Sequence, residues 1–132
     1  MPTRFVERKG RQVVLMDFSR LQSIEESLVH IEEARRFVAA QPKVMNLRVV
    51  VDVTDSAFDN SVIEALQRLA DHDRPWVLVS ATVGLSPLRR ITNRLIAMKS
   101  HRKFGRFKDL GRALDWVAQQ EGPPEEFPDE AD

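Results

Sequence analysis

Apolar residues along this chain alternate between two spacings. "TRFVER" and "RQVVLMDF" flank "KG" and read as a strand, a tight turn and a second strand, with Gly10 able to supply the positive φ of such a turn. "SIEESLVHIEEARRFVAAQ" then sets Ile24, Leu28, Ile31, Ala34 and Val38 at helical spacing, with Ser23 as N-cap and Pro42 beyond the exit. "LRVVVDVT" and "WVLVSAT" carry apolar residues on both faces, the pattern of strands covered on both sides of a sheet. Between them "NSVIEALQRLADHD" returns to helical spacing through Val62, Leu66 and Leu69. "SPLRRITNRLIAMKS" opens on Ser86 and Pro87 and predicts a third helix along Leu88, Ile91, Leu95 and Met98. "KFGRF" is a short last strand, and "DLGRALDWVAQQ" a last helix capped by Asp109, with Leu110, Leu114 and Val117 inward.

The order β-β-α-β-α-β-α-β-α predicts an α/β fold: a mixed, mostly parallel sheet of about five strands with four helices, opened by an antiparallel hairpin. A length of 132 residues suits one domain, here residues 1–120. The segment 121–132, "EGPPEEFPDEAD", is acidic, proline-rich and expected to be disordered, folding back only transiently over basic residues. Those are Arg89, Arg90, Arg94, Lys99, Arg102, Lys103, Arg106, Lys108 and Arg112, set against Asp109 alone. Across the whole chain the net charge is zero, so this asymmetry is internal.

Composition narrows the function classes. There is no cysteine, hence no disulfide, thiolate metal site or thiol nucleophile. His30, His72 and His101 stand far apart, without a second histidine at ligand spacing, so neither a metal nor a cofactor is expected. No Gly-x-Ser-x-Gly elbow is present. Without a signal-like or membrane-spanning apolar run, a cytoplasmic protein is the expectation. Nucleic acid is not expected as a partner: Phe104 and Phe107 lie among basic residues, yet no nucleic-acid motif accompanies them.

In an open α/β sheet, ligands gather beyond the carboxyl ends of the strands. Asp17, Asp52, Ser80 and Thr82 all fall there, where short polar side chains also serve turns and caps. A candidate site for a small anionic or lipid-like ligand lies just after the fourth strand. Thr82 ends that strand, Gly84 lets backbone approach a ligand, Ser86 begins a helix, and Arg89 and Arg90 supply charge in its first turn.

The stretch "VVVDVTDSAFDNSVIEAL" and the closing "FGRFKDLGRALDWV" resemble the STAS domains, the family of sulfate-transporter domains and anti-sigma factor antagonists. The middle, "WVLVSATVGLSPLRRI", looks closer to a small bacterial SpoIIAA-like subgroup than to the sporulation regulators themselves. The resemblance spans roughly residues 5–120 and implies a regulatory or binding module, not an enzyme. In the antagonists a serine at the start of this helix is phosphorylated by the partner kinase, and Ser61 takes that position, with Asp55, Phe58, Asp59 and Asn60 as the implied partner-binding rim. The chain departs from the pattern at Asn60, where the family usually has Asp. It departs again at Val62 and Ile63, where Ser or Thr and Gly are common. Asp52 with Asp17, Thr82 and Lys103 resembles response-regulator receivers, but the adjacent acidic pair that would hold magnesium is missing, since Phe18 stands directly after Asp17. Three alternatives therefore stay open for partners: a protein docking on the second helix, a small ligand at Gly84, and a second copy meeting a patch of Trp116 and Phe107.

Overall fold

Lys9 and Gly10 both have positive φ, 53° and 78°, the pair of left-handed residues that a type I′ hairpin requires. They join β1 (Thr3–Arg8) to β2 (Arg11–Asp17), antiparallel from Arg8 opposite Arg11 to Thr3 opposite Met16. The structure, a computed structural model, describes residues 2–84 and 103–130. Within them β3 (Leu47–Asp52), β4 (Val77–Val83) and β5 (Gly105–Phe107) extend the sheet in parallel, in the spatial order β1-β2-β3-β4-β5. The helices are α1 (Ile24–Ala39), α2 (Asn60–Asp73) and α3 (Leu110–Gln119). The helix expected over 86–100, and with it Ser86, Arg89 and Arg90, lies outside the described residues. None of the described helices is long and apolar enough to cross a membrane.

Strand alternation sorts the core into two layers. Val14, Met16 and Val49 face α1 and α2, meeting Ile31, Ala34, Val38, Val62, Ala65 and Leu69. Their neighbours Val13, Leu15 and Val50 face the other way, onto Ala113, Leu114 and Val117 of α3. With helices on both faces the central strands have no wet side, so their runs are continuously apolar. Each fully buried valine there is worth about 1.5–3 kcal/mol.

Ile24 and Leu28 are partly buried and pack against this layer, while the buried face of α1 runs Ser27, Ile31, Ala34 and Val38. These positions are spaced i, i+4, i+7 and i+11, one stripe of a helix, but the serine hides its first member from an apolar count. Ser23 caps α1, its Oγ accepting from the Glu26 N–H at 3.1 Å. Asp109 caps α3, its Oδ1 accepting from the Gly111 N–H at 3.0 Å. The far end of α3 is closed from the sheet. Arg11 donates to the carbonyls of Ala118 and Gln120 at 2.9 and 2.7 Å, and Arg48 donates to Gln120 O at 2.7 Å. Burial, the dominant cause, and the neighbouring Arg11 hold the Arg48 pKa below its usual value.

Residues 121–130, read from composition as a disordered tail, are among the described residues. They run from the end of α3 to β5, where Asp129 forms a parallel bridge with Arg106. Charge complementarity and Phe127, whose ring centroid lies 5.9 Å from that of Trp116, supply the contacts that composition alone does not reveal. The same packing involves the two aromatic residues of the open self-association alternative. Phe107 is buried, and Trp116 is half-buried between Phe107 and Phe127.

Candidate functional site

Two strand ends are finished in the same way. At the end of β3 the buried Asp52 turns its Oδ1 back to accept from the Thr54 N–H at 3.0 Å and the Thr54 hydroxyl at 2.6 Å. At the end of β2, Asp17 Oδ1 accepts from the Ser19 N–H and hydroxyl. Asp17 and Asp52 sit side by side in the sheet register. Each carboxylate is engaged by its own loop, however, the ordinary use of aspartate two residues before a hydroxyl. Among the described residues no group of three or more His, Asp or Glu stands close enough to hold a metal ion.

Beyond Asp52 the chain is fixed to the loop after β2. Phe18 N donates to Asp52 O, Arg20 N to Thr54 O, and Ala57 N to Leu21 O, each at 2.8 Å. Ser56, buried, donates its hydroxyl to Phe18 O and accepts from the Leu21 N–H at 3.2 Å. Asp55 is exposed and turns the chain with φ of 55°, a left-handed conformation that aspartate tolerates better than most residues. Phe58 packs partly buried against the core and borders a small cavity with Phe18, Ser27, Ser56 and Val62. Ser27 Oγ is buried there without a hydrogen-bond partner among the described residues.

After Phe58 the chain enters α2, with Val62 turned into the core. Asp59, not Ser61, is the N-cap: its Oδ1 accepts from the Val62 N–H at 3.0 Å. Ser61 lies in the first turn, half-exposed, and its hydroxyl donates to the same Asp59 oxygen at 2.6 Å. The Ser61 hydroxyl first, and the Val62 N–H second, hold the Asp59 carboxyl below its ordinary pKa. Asp55, Asp59 and Asn60 are exposed, and Phe58 is partly buried against the core.

The loop after β4 meets this joint directly. Val53 N donates to Val83 O at 3.0 Å, and Gly84 has φ of 85°. A Cβ on Gly84 would overlap the Thr54 hydroxyl and stand 2.7 Å from Thr54 Cα. The close approach that Gly84 permits is thus to the neighbouring loop, at Thr54. Thr82, the other described member of the ligand candidate, is buried, with its Oγ1 lacking a partner among the described residues.

Thr54 and Ser19 are residues of these strand ends that sequence reasoning did not single out. Their signal was present as Asp-x-Thr at 52–54 and Asp-x-Ser at 17–19, repeated as Asp-x-Ser at 59–61.

Neither a protein-family model nor a curated protein matches the chain. Among solved structures it is similar to an uncharacterised protein of the DUF3478 family, with a SpoIIAA-like fold, from Shewanella loihica PV-4. The identity is 16%, the TM-score is 0.65, and the match covers 87% of this chain and 91% of that one. A likeness at that identity is one of fold, and with its antiparallel hairpin leading into a parallel sheet the chain has the SpoIIAA-like fold.

Proposed function

We propose that this chain is a non-catalytic regulatory or binding module that docks a protein partner through the start of α2, with Ser61 as its phosphorylation switch. The observation that carries this reading is the contact between the Ser61 hydroxyl and the N-cap Asp59, in the exposed first turn of a helix whose other surroundings are fixed. A phosphate on Ser61 adds about two negative charges and removes that hydroxyl donor. The Asp59 carboxylate would then face a like charge, and the two would compete for the same helix N–H groups. Asp55, Phe58, Asp59 and Asn60 form the docking rim that this rearrangement alters.

Peptide mass spectrometry on the protein from its native cells tests the switch, with phosphate expected on Ser61. A photocrosslinker at Asn60 tests the surface. One defined adduct is expected, reduced at least tenfold by Ser61→Asp at unchanged melting temperature. Unmodified Ser61 across growth conditions, with an adduct indifferent to Ser61→Asp, overturns the proposal.

A second reading rests on Thr82, whose buried hydroxyl, close to Gly84 in the chain, lacks a partner among the described residues. In it a small anionic or lipid-like ligand is held there, with Ser86, Arg89 and Arg90 completing the site. A thermal shift with inorganic phosphate or anionic detergent, removed by Arg89→Ala with Arg90→Ala, is its test.

A further inference from the structure

β5 is the last strand of the described sheet, and its outer edge is covered by the chain's own tail. Arg106 N donates to Pro128 O at 2.8 Å, and Glu130 N donates to Arg106 O at 3.0 Å, one complete ring of a parallel ladder. Two ion pairs flank it: Arg106 with Asp129 at 3.0 Å and Arg112 with Glu130 at 2.6 Å. The Lys108 N–H is met by the Glu130 side chain at 3.2 Å, and Phe127 lies against Trp116.

This pairing is limited by its own sequence. In a parallel ladder the next bond toward the start of the strand would come from the N–H of residue 128, and proline has none. The backbone pairing of the tail is therefore one ring, beside which stand the Lys108–Glu130 bond, the Phe127–Trp116 contact and partly exposed ion pairs, that of Arg11 with Glu121 among them. Exposed ion pairs contribute little each. A strand edge with matching charge is a general way to bind an extended peptide.

We propose that the outer edge of β5 is a docking site for an extended acidic segment of a partner protein, which the chain's own tail keeps closed. The segment it fits has an aromatic residue with carboxylates two and three positions later, the spacing of Phe127, Asp129 and Glu130. A partner segment with a free N–H where the tail has Pro128 extends the ladder and displaces it. The site shares no residue with the α2 surface, so its failure leaves that reading untouched, and the reverse also holds.

The test uses the full chain with Phe127→Ala, Asp129→Ala and Glu130→Ala together, which unseats the tail without altering the sheet. The probe is a fluorescent peptide with the sequence of residues 121–130, read by anisotropy. The unseated chain is expected to bind it at least about tenfold more tightly than the unaltered chain, because intramolecular closure reduces apparent affinity by the closed fraction. A peptide with lysine in place of both carboxylates is expected to lose at least tenfold, which probes the charge match without touching the fold. Arg112→Glu in the unseated chain, at an exposed position, is expected to cost severalfold. Equal affinity for unaltered and unseated chains, no binding to the unseated chain, or indifference to the lysine peptide overturns the proposal. So does a dimer of the unaltered chain that disappears with the tail substitutions, which would make a second copy the occupant.

Discussion

Gly84→Ala and Gly10→Ala make a matched pair. Both glycines have left-handed φ, 85° and 78°. An alanine in that conformation costs about 1–2 kcal/mol at either site, and the gain from restricting the unfolded chain is the same for both. Their surroundings differ. A Cβ at Gly10 meets nothing within 4 Å, whereas at Gly84 it overlaps the Thr54 hydroxyl and stands 2.7 Å from Thr54 Cα and 2.8 Å from Thr54 N. Two of those three atoms are backbone and cannot swing away, so relief requires the β3 and β4 loops to separate. Overpacking of that kind adds about 1–3 kcal/mol, which puts Gly84→Ala about 1–3 kcal/mol below Gly10→Ala. Urea unfolding monitored by tryptophan fluorescence reads the difference. With a slope of about 1–3 kcal/mol per molar, the midpoints should lie roughly 1 M apart. Thr54→Ala added to Gly84→Ala should recover only part of the loss, since the backbone overlap remains. Coincident midpoints for the two alanine variants would refute the contact between the loops.

Other substitutions test neighbouring parts of the structure. Ser56→Ala leaves the buried Leu21 N–H without its acceptor and should cost about 1–3 kcal/mol in chemical unfolding. Arg11→Ala removes two carbonyl partners from the end of α3 and should cost about 1.5–3 kcal/mol, with early amide exchange confined to residues 116–120. Asp59→Ala removes the α2 cap and should lower the melting temperature measurably at neutral pH. Because the folded Asp59 carboxyl titrates below its ordinary value, its contribution is complete above the unfolded pKa of about 3.9 and is lost as pH falls through the folded pKa. The two melting curves should therefore converge in acid.

The elements were legible because two faces of helices and two faces of a sheet leave unmistakable spacings, and because Ser23, Gly10 and Asp109 perform the local jobs their types suggest. Two features were not legible, for physical reasons. The cap of α2 is Asp59, and only the path of the chain after Phe58 decides that this carboxylate faces the free N–H groups. The contacts of residues 121–130 were not readable from an acidic, proline-rich composition, because they are made with residues distant along the chain, Arg106, Arg112 and Trp116, whose juxtaposition exists only after the sheet is closed.

The threefold Asp-x-Ser/Thr pattern bears on which hydroxyl is suited to regulation. Ser19 and Thr54 make the same bond that Ser61 makes, a donation to the aspartate two residues earlier. The bond is thus a recurring way of finishing a segment and does not by itself mark a site. The three hydroxyls differ in their surroundings. Thr54 is the wall against which Gly84 packs, so a bulky group on its hydroxyl would force two loops apart. Ser19 leads into a loop tied by Arg20 N to Thr54 O, with no helix N-terminus to receive an anion. Ser61 alone of the three lies in the first turn of a helix, where added negative charge meets unpaired N–H groups and a favourable dipole while competing with the capping aspartate. Modification at Ser61 would therefore exchange one cap for another and leave the core layers intact. A surface that changes charge and shape without unfolding is what a partner switch demands, and the other two hydroxyls do not offer it.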